Sequence, residues 1–135
     1  PRRAAEPEIG WFRVELTPEG RDDPLLGPLE PGFEAFQWHS YEFPLPPGAV
    51  PLARTDLCLQ AFRHGESAWG LQFHPEVSAT DAGSWIEDYR SDEDAVRIEL
   101  DPDALRAETE AKIEAFNRLG RDLCRRWLEV ASAAG

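Results

Sequence analysis

Trp69-Gly70-Leu71-Gln72-Phe73-His74-Pro75-Glu76-Val77 is the stretch on which the fold of this chain turns. In an extended chain Trp69, Leu71 and Phe73 fall on one face, and Gly70, Gln72 and His74 on the other. No charge precedes Glu76, so the strand is expected to be buried on both faces, as in a three-layer α/β domain. It delivers a histidine and a glutamate at its C-terminal end, where α/β sheets place acid/base groups. Pro75 disfavours the helical region for His74, which is therefore expected to be extended. Residues i and i+2 then point to one side with Cα atoms about 6.5–7 Å apart. A carboxylate beside an imidazole fixes its tautomer and stabilises the imidazolium, which is the base–orienter pair of a nucleophilic triad. The nucleophile has to come from elsewhere. The same residues also fit a structural histidine, hydrogen-bonded where strand meets loop. A zinc site is a third reading, opposed by the separate spacing of His39, His64 and His74 and by the lack of a cysteine paired with them in sequence.

Upstream, Leu57–Arg63 reads as a strand joined to this one by His64-Gly65-Glu66-Ser67, a hairpin with Gly65 at the turn. Ala49–Arg54 fits a short strand, and Pro51 places it at an edge. Trp11–Leu16 alternates as a half-buried strand, and Phe33–Trp38 is a second, aromatic one. Residues 1–10 read as a loop. Residues 17–32, with four prolines and three glycines, read as mostly loop with one helical turn docked by Leu25, Leu26 and Leu29. Downstream, Ser78 or Thr80 caps a helix reaching about Tyr89, and Ser91-Asp92-Glu93-Asp94 is an acidic loop. The strongest helix begins at Asp101-Pro102. Leu105, Thr109, Ile113, Phe116, Leu119, Leu123, Trp127 and Val130 recur along it at helical spacing, and Gly120 is expected to soften its middle.

The 135 residues are 41% hydrophobic and include five Trp and seven Phe, enough for one modest core. The net charge is −12, and it is uneven: residues 1–100 carry 19 acids and 8 bases. An acidic body argues against binding a phosphate backbone, so no nucleic-acid partner is expected. No run approaches the ~18 apolar residues of a membrane span, and Pro1-Arg2-Arg3-Ala4-Ala5 is no signal peptide. A soluble, cytoplasmic protein with no membrane partner is the expectation. Cys58 and Cys124 lie far apart, offer no metal spacing, and are expected to be buried reduced thiols.

Gly70-Leu71-Gln72-Phe73-His74-Pro75-Glu76 closely resembles the G-x-Q-F-H-P-E signature of class I glutamine amidotransferases. Phe36-Gln37-Trp38-His39-Ser40-Tyr41 is similar to that family's W-H-G-D segment, and Glu8-Ile9-Gly10-Trp11 to the segment before it in stand-alone bacterial members. The resemblance covers residues 1 to about 90. It implies a flavodoxin-like three-layer α/β/α fold, of which this chain is the C-terminal portion, with residues 91–135 forming an acidic loop and a long helix on or beside the same domain. It implies catalytic roles for His74, as general base, and for Glu76, as its orienter. It implies a glutamine-binding segment at Trp38, His39, Ser40 and Tyr41. Ser40 and Tyr41 would offer backbone groups to the substrate, and His39 would support the pocket. Ser40 stands where the family usually has glycine. No cofactor and no metal are implied.

One part of the pattern is absent. The family's nucleophile is a cysteine in a G-x-C-x-G strand-to-helix elbow whose backbone N–H groups form an oxyanion hole. Neither Asp56-Leu57-Cys58-Leu59-Gln60 nor Asp122-Leu123-Cys124-Arg125-Arg126 has that form. The expected partners are therefore glutamine as substrate, the missing N-terminal half of the domain (whether cut away or separately encoded) and an ammonia-accepting synthase domain or subunit. The small-residue end Ala131–Gly135 favours a stand-alone member over a fused one. Two further readings stand beside an amidotransferase: a γ-glutamyl hydrolase or peptidase of the same superfamily, and a non-catalytic module that keeps the fold.

Overall fold

The computed structural model describes residues 1–134; Gly135, the last of the small-residue end, lies outside them. The elements are β1 (Arg2–Leu16), α1 (Pro18–Arg21), a 3-10 turn at Gly27–Leu29, β2 (Gly32–Glu42), β3 (Ala49–Arg54), β4 (Leu59–His64) and β5 (Ala68–Leu71). They continue with α2 (Ala79–Glu87), a 3-10 turn at Tyr89–Ser91, α3 (Glu93–Arg97) and α4 (Pro102–Ala134). The strands form one sheet in the order β2-β1-β3-β4-β5, and every pairing is antiparallel.

Residues 1–10 are not a loop. They form the first part of β1, which pairs with β2 from Arg2↔Glu42 to Glu15↔Gly32, with a register irregularity between Arg3 and Glu8 that takes up Pro7. Glu8 and Ile9 are buried there. Polar composition concealed this strand, because its polar groups find partners only on neighbouring strands.

Pro51 does not put β3 at an edge. The strand is third in the order, yet it shares only Glu15↔Arg54 and Leu16↔Ala53 with β1. Pro51 lies beyond that overlap, where nothing needs its missing N–H. Thr17 caps the arrangement: its hydroxyl donates to the Pro51 carbonyl at 2.7 Å and its N–H to the Leu52 carbonyl at 2.9 Å.

The β4–β5 hairpin is present, turned by Gly65 at φ +67°, but β5 ends at Leu71, three residues before His74. Nor is β5 covered on both faces: it is the last strand in the sheet, and Trp69, Gly70 and Leu71 are only half-buried. Gly70 is required here, because a Cβ would lie 2.3 Å from the Phe62 ring on β4.

Asp101 caps α4 by accepting from the N–H groups of Asp103 and Ala104, each at 3.1 Å, with Pro102 in the first turn. Leu105, Thr109, Ile113, Phe116 and Leu123 are its buried stripe. The apolar members join Val14, Phe36, Leu52, Ala61 and Ile86 in one cluster. Trp11 sits edge-on to both Phe36 and Phe116, at 5.4 Å from each, and its Nε1–H donates to Thr109 at 3.1 Å. That bond explains a threonine within an apolar stripe. The helix runs unbroken through Gly120.

Ser78 and Asp81 form a capping box at α2. The expected acidic loop is instead a helix start. Asp92 accepts from the N–H groups of Asp94 and Ala95, and Glu93 and Asp94 occupy the first turn of α3, where the helix dipole favours negative charge. Of the two cysteines Cys58 is buried, but Cys124 is exposed. Cys124 is one residue past the buried Leu123, about 100° farther round the helix.

Candidate functional site

His74 and Glu76 lie in a tight turn anchored on both sides. Before it, Phe73 is buried and packs edge-on against Phe33 at 5.2 Å. After it, Val77 is buried, and its N–H donates to the His74 carbonyl at 3.2 Å, closing the turn. The two side chains therefore converge through a turn rather than along a continued strand.

Helix α4 holds the turn from outside. Asn117 donates through Nδ2 to the Val77 carbonyl at 2.7 Å. Gly120 brings the helix backbone against Pro75 so closely that a Cβ would lie 2.2 Å from the Pro75 carbonyl oxygen. Gly120 is thus a close-approach glycine, not a soft point.

His74 Nδ1 and Glu76 Oε1 are 2.9 Å apart. A carboxylate only accepts, so Nδ1 carries the proton and Nε2 of the neutral ring keeps its lone pair. With side chains 41% and 70% exposed, the pair adds little stability; its consequence is orientation. Trp85 of α2 stands edge-on to the imidazole, with centroids 5.9 Å apart. Trp38, Ser84, Trp85, Asp88, Ser91 and Asp92 join His74 in lining an open cavity of about 630 Å³. Trp38 Nε1–H donates to Asp92 Oδ2 at 2.9 Å, tying β2 to the start of α3.

The other residues expected in the site have separate surroundings, because alternate positions on β2 face opposite ways. Ser40 lies beside Asp94, whose carboxyl is held below its usual range by the Ser40 hydroxyl first, then by Arg97 and Arg3, against an upward push from burial. Tyr41 is 57% exposed, with the Arg3 guanidinium 5.8 Å from its ring centre. His39 is buried. Its Nδ1–H donates to the Tyr41 carbonyl at 2.9 Å, and its Nε2 lies 3.0 Å from Glu8 Oε1. Trp85, Asp88 and Asp92 were not singled out for the site from sequence. The available signal was the capped helix beginning five residues after His74, which returns its second turn over the imidazole.

Neither cysteine is set up as a nucleophile beside His74. The Cys58 Sγ donates to Glu8 Oε1 at 3.1 Å, and burial, followed by Glu8, pushes its thiol up to about 12. Cys124 is on α4 in a groove with Trp69, Leu71, Glu76 and Trp127, which His74 does not line.

The sequence model of the family described as glutamine amidotransferase class-I matches residues 11–89. The chain belongs to the class I glutamine amidotransferase family. Among curated class I relatives, a glutamine-hydrolyzing GMP synthase subunit from Methanosarcina barkeri is 40% identical over 77 residues, covering 55% of this chain and 40% of that protein. The imidazole glycerol phosphate synthase subunit HisH of Chloroflexus aurantiacus is 31% identical over 74 residues, covering 53% and 35%. A solved glutamine amidotransferase from Thermotoga maritima superposes with a TM-score of 0.79 at 31% identity, over 95% of this chain and 54% of that one. One from Methylobacillus flagellatus gives 0.77 at 25% identity, with the same coverages. The fold is therefore the flavodoxin-like α/β fold of class I amidotransferases. The chain spans about two-fifths of the length of the first of these relatives and about half of the solved structures.

Proposed function

We propose that this chain supplies the base and orienter of a glutaminase site whose cysteine lies outside these 135 residues. The observation that carries the reading is the 2.9 Å His74–Glu76 pair, held in a pinned turn at the mouth of a cavity that Trp38 also lines. Glu76 fixes the proton on Nδ1. His74 Nε2 takes the proton of the incoming thiol, and the thiolate attacks the side-chain amide carbon of glutamine. The imidazolium then protonates the departing nitrogen, releasing ammonia and leaving a γ-glutamyl thioester. In the second half His74 draws a proton from water, which displaces the thiol and frees glutamate. Trp38, His39, Ser40 and Tyr41 form the substrate-side segment: Trp38 walls the cavity, Ser40 and Tyr41 present backbone groups, and His39 braces the strand from behind.

Ammonia then passes to an acceptor held by a synthase domain or subunit, in a cytoplasmic setting. The activity for which the Methanosarcina relative is named, glutamine hydrolysis within a synthase, favours this over a γ-glutamyl hydrolase or a silent module.

The test is glutamine hydrolysis by the longer protein that supplies the thiol. His74→Ala is expected to lower kcat about 10²–10⁴-fold, the range of a lost general base. Glu76→Gln is expected to lower kcat at least about tenfold with KM little changed, through loss of tautomer control. Full activity in His74→Ala would sink the assignment, and turnover by the isolated 135 residues would show that the nucleophile lies within them.

A further inference from the structure

A second cluster of reactive side chains lies away from His74, inside the curl of the sheet. Glu8 on β1 and His39 on β2 are directly opposed in the ladder. Cys58, just before β4, reaches the same point because β1 leaves β3 after two paired residues and the head of β4 comes in beside it. Glu8 and Cys58 are fully buried, and the His39 side chain is 8% exposed. One atom from each, a carboxylate oxygen, an imidazole nitrogen and a thiol sulfur, all fall within 4.8 Å of one another.

The hydrogen bonding of this cluster is incomplete. His39 Nδ1–H is committed to the Tyr41 carbonyl, which turns the Nε2 lone pair inward. Nε2 comes within 3.0 Å of Glu8 Oε1, but off the direction of a hydrogen bond, and is left without a partner. Glu8 Oε2 is equally buried and unpaired, as is Oε1 of the neighbouring Gln37. Buried polar atoms rarely stay unpaired. Here two of them are electron-pair donors aimed at one spot beside a thiol.

We propose that Glu8, His39 and Cys58 form a binding site for a single divalent cation of the zinc class. The sulfur, imidazole and carboxylate donor set suits zinc or a chemically similar thiophilic ion over magnesium or calcium. The Tyr41 carbonyl on Nδ1 is the outer partner that metal-binding histidines ordinarily carry. Gln60 stands ready as a fourth donor: its amide nitrogen lies 2.8 Å from Glu8 Oε1 and 3.3 Å from Cys58 Sγ. Turned end for end, with Gln37 following to keep the bond between the two amides, it presents its oxygen. Binding converts the Cys58 thiol to a thiolate and releases its proton. The cation ties β1, β2 and β4 together and acts on the sheet, not on the chemistry at His74.

The experiment uses the full chain, stripped with a chelator and titrated with Zn²⁺ and separately with Co²⁺. One cation per chain is expected, with a thiolate-to-cobalt charge-transfer absorption in the near ultraviolet. The band persists in Cys124→Ser, where Cys58 is the only sulfur left. Cys58→Ser abolishes the band and weakens Zn²⁺ at least about 100-fold, the upper end of what losing even an outer partner of a ligand costs. Glu8→Gln keeps the band but weakens binding. Absence of the band in Cys124→Ser, or binding undiminished in a folded Cys58→Ser, would overturn the proposal and leave Glu8 and His39 as a buried ion pair. The decisive reading is made on Cys124→Ser, so a Cys58→Ser variant that fails to fold does not remove the test.

Discussion

At the scale of single residues, identical side chains take different chemistry from their neighbours. His74 and His39 each face a glutamate at about 3 Å, yet one pair is exposed and the other sealed. Burial pushes the Glu8 carboxyl upward, but hydrogen bonds from His39, Thr55 and Cys58 outweigh it and hold Glu8 below its usual range. Cys58 moves the other way, from 9.0 to about 12. Its folded state therefore keeps a proton that the unfolded chain releases. The stability this contributes is complete below pH 9.0 and is lost as pH rises towards about 12. Denaturant midpoints of the metal-free protein are expected to fall across that window, and Cys58→Ser is expected to lack this part of the fall.

Among elements, α4 does most to position the site. Its close passage over Pro75 depends on Gly120. In an open helix, Gly→Ala is worth about 0.5–1 kcal/mol of added stability. At Gly120 the new methyl would strike a carbonyl, so Gly120→Ala is expected to cost about 1–3 kcal/mol, as overpacking does. It should also reduce glutamine hydrolysis in the longer protein by shifting the His74 turn. At Gly83 of α2 an added methyl would meet nothing within 4 Å, so Gly83→Ala is expected to raise stability by about 0.5–1 kcal/mol. Urea unfolding of the two variants tests whether one substitution has opposite signs on two helices.

For the whole molecule, the apolar surface is unevenly finished. The cluster linking sheet and α4 is well buried, but beyond Leu123 the stripe opens. Trp127 is 43% exposed and, with Trp69 and Leu71 of the edge strand, lines a groove of about 450 Å³. A free strand edge beside an apolar groove favours association, which the −12 charge opposes. The 135-residue chain is expected to self-associate as salt screens that charge. Trp127→Lys should shift the sedimentation profile back towards monomer; a profile insensitive to both salt and Trp127→Lys would show that the groove plays no part. Among the described residues no helix is long and apolar enough to cross a membrane.

The sequence by itself determined the local pieces. Periodicity and capping gave α4 and α2, glycine and strand patterning gave the β4–β5 hairpin, and G-L-Q-F-H-P-E with W-H-S-Y pointed to the family. These features depend on neighbours within a few residues, so they can be read in one dimension. Only the tertiary structure decided the rest. The first ten residues became a strand because β2 supplied partners for their polar groups. Pro51 entered the middle of the sheet because β1 had already turned away. Gly120 proved necessary because Pro75 lies against it. Glu8, His39 and Cys58, 50 residues apart along the chain at the extremes, became one cluster because the sheet curls. Each of these follows from long-range packing, and spacing along the chain carries no trace of it.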